Sequence, residues 1–240
     1  MSVNYDERRW EQESSHQLHP SVRFRNRLIL KTLKDIKFNT LIDAWCWDGF
    51  LLSILKKNFL WKIYSWVDVS DYIIDENRNK YKNIEFFQGD LWSNQFKINK
   101  KFEIVVCSEV IEHIEDWKQV ISNLSKLVNQ NWHCILTTQS GKRYKSDINI
   151  WHLKHFQLKE LENEFIKHWF KIIKSYKRWF PFYNMQKRLY EKIENKAKKV
   201  QQSKATFLWK ILFKLTYISF ILSIKSKKLG PQLFLLVQKF

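Results

Sequence analysis

Short apolar runs alternate with helical patterns along most of this chain. Runs rich in β-branched and aromatic residues recur at Ile63–Val67, Ile84–Phe87, Ile104–Cys107 and Cys134–Thr138, after a first run through Leu41 and Ile42. Between them, apolar residues fall at helical spacing over 71–82 and 117–128, and Phe50 to Leu55 starts another such pattern. Residues 21–37 read as a basic amphipathic helix ahead of the first strand. Phe170–Tyr176 and Gln232–Lys239 are suited to a sixth and a seventh strand. Strands alternating with helices at this spacing predict an α/β fold, a doubly wound and mostly parallel seven-stranded sheet.

The same pattern divides the chain. Residues 1–37 form an N-terminal helical segment, 38–183 the core, 184–229 a helical insertion and 230–240 the last strand of the core. The insertion starts with a charged helical stretch from Gln186 to Gln202 and continues into Phe207-Leu208-Trp209-Lys210-Ile211-Leu212-Phe213-Lys214-Leu215. Lys210 and Lys214 interrupt that run too soon for a membrane-spanning helix. Basic residues set in an aromatic, apolar helix suit a membrane surface; a lid packed on the core is the competing reading.

Charge sharpens this division. Residues 171–240 hold 17 basic and 2 acidic residues, a net of +15, whereas residues 1–170 hold 25 and 22, a net of +3. A polyanionic partner for the C-terminal part follows. Cys46, Cys107 and Cys134 are odd in number and scattered in apolar runs, which argues for reduced thiols in the cytoplasm. Asp6, Glu7, Arg8 and Arg9 exclude a signal peptide at the start of this sequence.

Candidate chemistry collects where the runs end. Leu41-Ile42-Asp43-Ala44-Trp45-Cys46-Trp47-Asp48-Gly49 leads from the first strand into the next helix. Asp68 and Val69 end the second strand, and Gln88-Gly89-Asp90-Leu91 ends the third. The fourth runs as Phe102-Glu103-Ile104-Val105-Val106-Cys107-Ser108-Glu109-Val110-Ile111-Glu112-His113-Ile114. It leaves Ser108 and Glu109 at the carboxyl edge, where open α/β sheets bind ligands. His152 and His155 follow the fifth strand. With these motifs in this order, residues from about 38 to 180 resemble the class I S-adenosylmethionine-dependent methyltransferases. The likeness is to the type 11 group that includes the O-methyltransferases of ubiquinone biosynthesis.

The resemblance implies a Rossmann-like fold with S-adenosyl-L-methionine as cofactor. The site it implies takes Asp43, Ala44, Trp45, Cys46, Trp47 and Gly49 from the first loop, and Asp68 and Val69 from the second strand. Gly89, Asp90 and Leu91 come from the third, and Ser108 and Glu109 from the fourth. Asp43 would lie near the methionine amino group, Asp68 would accept hydrogen bonds from both ribose hydroxyls, and Asp90 would receive the adenine amino group. A carboxylate at 68 could instead cap the following helix, a role that suits Ser70 better. His152, with His113 beside it as a second candidate, could take a proton from a hydroxyl acceptor; a histidine at a helix start is the competing reading. Glu109, Glu112 and His113 match an arrangement associated with a divalent metal in similar enzymes. Metal-independent relatives use the same residues to shape the loop, and no metal is assigned.

One departure from the family's pattern stands out. Its first loop runs D-x-G-x-G-x-G, and here Trp45 and Trp47 stand at the first two glycine positions. Glycine there permits positive φ and lets the backbone lie against the ligand. The chain has 12 Trp and 4 Gly, where ordinary proteins average about 7% glycine. Trp66, Trp151 and Trp169 also stand where glycine makes local sense, as does Trp132 after the turn sequence Asn129-Gln130-Asn131, whereas Trp10 and Trp117 suit ordinary tryptophan. Glycine encoded by UGA and translated as tryptophan would account for this pattern; a decayed methyltransferase that has lost its cofactor and an authentic tryptophan-rich variant are the competing readings.

The function implied is methyl transfer to an oxygen of a small or lipid-linked acceptor, by a cytoplasmic enzyme that the basic 184–229 region brings to the inner membrane face. Phe180-Pro181-Phe182-Tyr183 would line the acceptor side. One rival is an RNA methyltransferase that holds phosphates on the basic C-terminal region, ranked lower because no RNA-binding module is recognisable. The other is a membrane-associated pseudo-methyltransferase whose cofactor site is filled by authentic Trp45 and Trp47.

Overall fold

A computed structural model describes residues 17, 19–45, 49–183 and 207–240. The strands are β1 (Thr40–Ala44), β2 (Ile63–Asp68), β3 (Ile84–Gln88), β4 (Phe102–Ser108), β5 (Val128–Gln139), β6 (Phe170–Phe180), β7 (Ile224–Ser226) and β8 (Gln232–Lys239). The α-helices are α1 (Pro20–Leu33), α2 (Phe50–Asn58), α3 (Asp71–Lys80), α4 (Trp117–Leu127), α5 (Lys145–Asn149), α6 (Leu158–Lys167) and α7 (Phe207–Leu222), with a 3₁₀ turn at Ile111–His113. The sheet order is β3-β2-β1-β4-β5-β8-β6-β7. β3, β2, β1, β4 and β5 pair in parallel, and β8 runs antiparallel between β5 and β6. This is the mixed α/β, Rossmann-like arrangement that the sequence predicts.

Alternation along the strands builds two cores. Leu41, Ile104 and Val106 face a layer with Ile29 and Leu33 of α1 and Leu52 and Leu55 of α2. Ile42, Ala44, Val105 and Cys107 face the opposite layer, with Val120, Ile121 and Leu124 of α4 and Phe165 of α6. Residues one apart serve opposite faces because successive side chains of a strand point to opposite sides. Helices cover both faces, so these central strands read as continuous apolar runs. Capping sets the helix starts: Ser70 accepts from the Ile73 N–H at 3.3 Å and Asp116 from the Gln119 N–H at 3.2 Å. Cys107 and Cys134 are buried free thiols, and burial raises both thiol pKa values.

Several boundaries differ from the sequence pattern. The sheet has eight strands rather than seven, because Ile224–Ser226 adds β7 against β6 inside the 184–229 region. Three residues carry no readable alternation. β5 starts at Val128, and the expected turn around Asn131 is a bulge within it, where pairing jumps from Phe102↔Val128 to Ile104↔His133. Trp66 lies inside β2 and is fully buried against Phe86 and Tyr81, so its backbone makes no demand for glycine. Trp132 is likewise in β5 without positive φ. The charged stretch Gln186–Gln202 lies outside the described residues.

Five tryptophans do adopt positive φ: Trp45, Trp61, Trp151, Trp169 and Trp179. A bulky L-residue held there costs roughly 1–2 kcal/mol. Five such costs weigh heavily against a net stability of about 5–15 kcal/mol.

Candidate functional site

The parallel strands all end at one edge, and in this strand order β1 separates connections that run in opposite directions across the sheet. Ligands bind open α/β sheets at that switch point. Asp68, the last residue of β2, is 1% exposed. Its Oδ1 accepts from the Ser70 N–H at 3.0 Å, and its carbonyl accepts from the Gly89 N–H at 2.9 Å. Ser70, not Asp68, therefore caps α3, while Asp68 shapes the turn before that helix and borders the cleft. Asp43 is buried within β1 itself, one step short of the loop, and Ala44 ends that strand in the core. Asp90 Oδ1 accepts from the Trp92 N–H at 2.9 Å, which closes the turn after β3. Asn123 of α4 donates to the carbonyls of Leu91 and Ser93 at 2.8 and 2.9 Å and so fixes the same turn.

Trp45, Val67, Asp68, Val69, Gly89, Leu91 and Trp92 line a cleft at this edge. Its room for a water-sized molecule is about 0 Å³, where small-molecule pockets span about 300–1,000 Å³. The indole of Trp45 is the obstacle. It sits with its ring centroid 5.2 Å from that of Trp92. Asp68 at the end of β2 suits an adenosyl cofactor and lines the cleft, and Asp90, two residues past the end of β3, lies in the adjoining turn outside that lining; the space as filled by Trp45 does not fit the cofactor. Cys46 and Trp47 lie outside the described residues; Gly49, left-handed at φ 69°, starts α2.

A polar cluster adjoins this cleft at the ends of β4 and β5. Glu109 takes φ 58° immediately after β4. Its carboxylate accepts from Thr137 Oγ1 at 3.1 Å, Gln139 Nε2 at 2.6 Å and Gln232 Nε2 at 2.9 Å, and Arg25 of α1 stands 3.6 Å away. Burial opposes its ionisation, but Arg25 and the two amides outweigh burial and hold the carboxyl below its ordinary range. Ser108 shares a hydrogen bond with Thr137, at 2.8 Å between hydroxyls.

Glu112 is fully buried and accepts from Thr138 Oγ1 at 2.8 Å. Burial first, and then the Glu109 charge, push its carboxyl well above the ordinary range. A raised carboxyl contributes stability below its unfolded pKa, near about 4.3, and loses it as pH rises toward the folded value. Glu112→Gln has no such loss. Its stability relative to the parent is therefore expected to improve as pH rises from 4 to 8 in urea titrations, and a difference independent of pH would contradict the raised carboxyl.

His113 and His152 come together across 38 intervening residues. Their rings meet edge-to-face at 4.8 Å, and His113 Nδ1 lies 3.3 Å from the Trp151 carbonyl. His152 Nδ1 is 3.1 Å from His155 Nε2, which in turn is 3.9 Å from Asp147. Burial and then His113 hold the His152 pKa down to about 4, so the ring is neutral at physiological pH. Among the described residues, two donor sets could hold a metal ion, Glu112-His113-His152 and Asp147-His152-His155. Glu109 belongs to neither. Tyr183 closes the cluster: burial, and then the charges of Asp147 and Glu109, raise its hydroxyl far above the ordinary range.

Arg25, Gln139, Asp147 and Gln232 carry no signal in the sequence of the kind that marks Asp68. Gln139 and Gln232 bound apolar strands and are both nearly or fully buried, which is the one hint a polar residue beside such a run could offer.

The comparisons agree with this geometry. A methyltransferase domain model matches residues 15–186. The ubiquinone biosynthesis O-methyltransferase of Coxiella burnetii is 27% identical over 124 residues, 45% of this chain and 52% of that protein. The chain thus spans about half the length of the curated relatives it matches. Among solved structures, a putative sarcosine dimethylglycine methyltransferase from Galdieria sulphuraria superposes with a TM-score of 0.62 at 12% identity, covering 91% of this chain and 86% of that one. The N-methyltransferase NodS from Bradyrhizobium japonicum, solved with S-adenosyl-L-homocysteine, gives 0.57 at 12% identity over 96% and 91%. With most of its length under one family model, and with Asp68 ending β2 beside the β1 switch point, the chain belongs to the methyltransferase-domain family and has the class I S-adenosylmethionine-dependent fold.

Proposed function

We propose that this enzyme methylates an oxygen of a small or lipid-linked acceptor at an anionic membrane surface, with S-adenosylmethionine as donor. The observation that carries the membrane part is the outer face of α7. Ile211, Leu212, Leu215, Ile218 and Leu222 are all exposed, at 41–69%. Their spacing forms one helical stripe. The inner face holds Phe220 and Thr216 instead, and Phe220 meets Phe24 of α1 edge-to-face at 6.2 Å. α1 is the helix that carries Arg25 to Glu109, so the exposed stripe lies on the support of the polar cluster. Lys214, Lys225, Lys227 and Lys228 lie along or just after this helix. Apolar side chains beside lysines suit the boundary between headgroups and acyl chains. An RNA backbone would gain from the lysines but not from the leucines, which disfavours that partner. Among the described residues no helix is long and apolar enough to cross a membrane.

For the acceptor, the Coxiella burnetii relatives are named for O-methylation, and a buried polar cluster suits a hydroxyl. Methyl transfer needs alignment more than a strong base, because the sulfonium is already activated. A His152 held near pKa 4 is a weak base. It would accept a hydrogen bond from the acceptor and orient it, with Glu109 and Arg25 fixing the wall behind. A second reading draws on the filled cleft: with an authentic Trp45 the fold would be a membrane-associated pseudo-methyltransferase.

The test supplies protein purified from its own cells with methyl-labelled S-adenosylmethionine and a lipid extract, an aqueous extract and RNA from those cells. Label in a hydroxyl compound of either extract is expected; label in RNA alone, or in nothing, contradicts the proposal. Leu215→Glu should lower recovery on phosphatidylserine vesicles about tenfold or more, since burial of one leucine contributes about 1.5–3 kcal/mol. Unchanged recovery would remove the membrane from the proposal.

A further inference from the structure

Among the described residues, tryptophan supplies most of the left-handed backbone that is not glycine. Among the described residues, eight that are not glycine have positive φ, and five of them are Trp45, Trp61, Trp151, Trp169 and Trp179. They are half of the ten tryptophans whose backbone is described. No described phenylalanine or tyrosine shares this conformation, although the chain has 18 and 9 of them. Aromatic bulk therefore does not favour it. Two of the remaining three are Asn83 and Asn131, and asparagine tolerates the left-handed region through its short polar side chain. Three of the four glycines, Gly49, Gly141 and Gly230, have positive φ as well.

Local geometry asks for glycine at each of the five positions. Trp151 and Trp169 follow the ends of α5 and α6, and their N–H groups donate to the carbonyls of Ile148 and Ile166 at 3.0 and 3.1 Å. This is where a helix stops on a left-handed glycine. Trp61 lies in the turn between α2 and β2 and is 98% exposed, so its indole buries nothing that would offset the conformation. Trp179 sits at the irregularity in β6 between Lys177 and Phe180, a bulge geometry that left-handed glycine favours. The Trp179 indole N–H is buried and has no acceptor among the described residues. Trp45 fills the cofactor cleft. By contrast, Trp66, Trp92, Trp117, Trp132 and Trp209 have backbones that any residue adopts.

We propose that the protein made in its own cell carries glycine at positions 45, 61, 151, 169 and 179, decoded from UGA, and that glycine at 45 opens the cleft to the adenosyl cofactor. The second clause rests on the methyltransferase reading; the residue identities do not.

Mass spectrometry of peptides from the native protein tests the identities. The tryptic peptides Phe38–Lys56, Asn58–Lys62, Ser146–Lys154 and Trp179–Lys187, with an overlapping peptide across 169, should each be lighter by the difference between tryptophan and glycine. Phe38–Lys56 reports position 47 as well. Phe102–Lys118 should retain tryptophan at 117. Tryptophan at 45 in the native protein overturns the proposal, whatever stands elsewhere. Calorimetry with S-adenosylmethionine separates the two readings. Glycine at 45 without cofactor binding would leave the decoding intact and sink the cofactor site instead. In recombinant protein made as written, Trp61→Gly should raise the folded-to-unfolded ratio about 5–30-fold; a lower ratio would overturn the backbone argument.

Discussion

Replacing Glu109 by alanine is expected to destabilise the protein by about 3 kcal/mol, the lower end of the range for breaking a buried ion pair. The side chains of Glu109 and Arg25 are 14% and 12% exposed, so some solvent screening remains. Without the carboxylate, Arg25 keeps a largely buried charge while Gln139 and Gln232 each lose an acceptor. Orphaned groups, more than the lost attraction, set the size of this effect. Two further variants test the account. Glu109→Gly should recover about 1 kcal/mol of the loss, because glycine removes the penalty of φ 58° that alanine retains. Arg25→Met in the Glu109→Ala background should cost little more, since its charge is then already unpartnered by Glu109. Urea midpoints for the four proteins decide this; a Glu109→Ala loss below about 1 kcal/mol would mean the cluster is solvated.

The second large effect is acid lability from His152. Its folded pKa is about 4, against about 6.5 for an unperturbed imidazole. Between those values the unfolded chain binds a proton that the folded chain refuses. Stability from this group is therefore fully present above about pH 6.5 and is lost as pH falls to about 4, by roughly 3 kcal/mol in all. His113 acts in the same direction, because burial lowers its pKa too. Glu112 opposes them, since a raised carboxyl gains stability as pH falls. The net profile thus blends opposite signs, and comparison with His152→Gln isolates the histidine. The stability difference between parent and variant should shift against the parent by roughly 3 kcal/mol between pH 7 and pH 4. A constant difference would show that His152 is protonated in the folded protein, or solvated.

How far the sequence could be read differs from element to element. α3 was legible to its cap, because Ser70 caps through a local bond to Ile73. β4 and β8 were legible because buried strands need unbroken apolar runs. β7 was not, since three residues on a sheet edge bury too little to leave a pattern. The turn expected near Asn131 became a bulge because β4 and β8 on either side hold β5 in the sheet. Trp66 misled in the other direction. Its position near a strand end suggested glycine, but the strand continues to Asp68 and buries the indole.

At the site, the acids were legible and their surroundings were not. Asp68 lies at a strand end and Asp90 two residues past one, and hydrophobic periodicity locates strand ends. Glu109 was visible as an acid at the carboxyl edge, but its partners come from Arg25, Gln139 and Gln232, positions up to 123 residues distant that no spacing rule connects. His113 and His152 each stood out in the sequence, yet only the packed loop between β5 and α6 brings their rings to 4.8 Å and drives off the water that would let them ionise.

The order of strands and helices, their faces and the shortage of glycine were all written into the chain, because periodicity, capping and composition are local properties. Which tryptophans hold glycine's backbone, which carboxyl is pushed above its ordinary range and how much room the cleft has were settled by tertiary structure alone. Those depend on φ angles, desolvation and filled volume, and each of these exists only after distant segments have packed together.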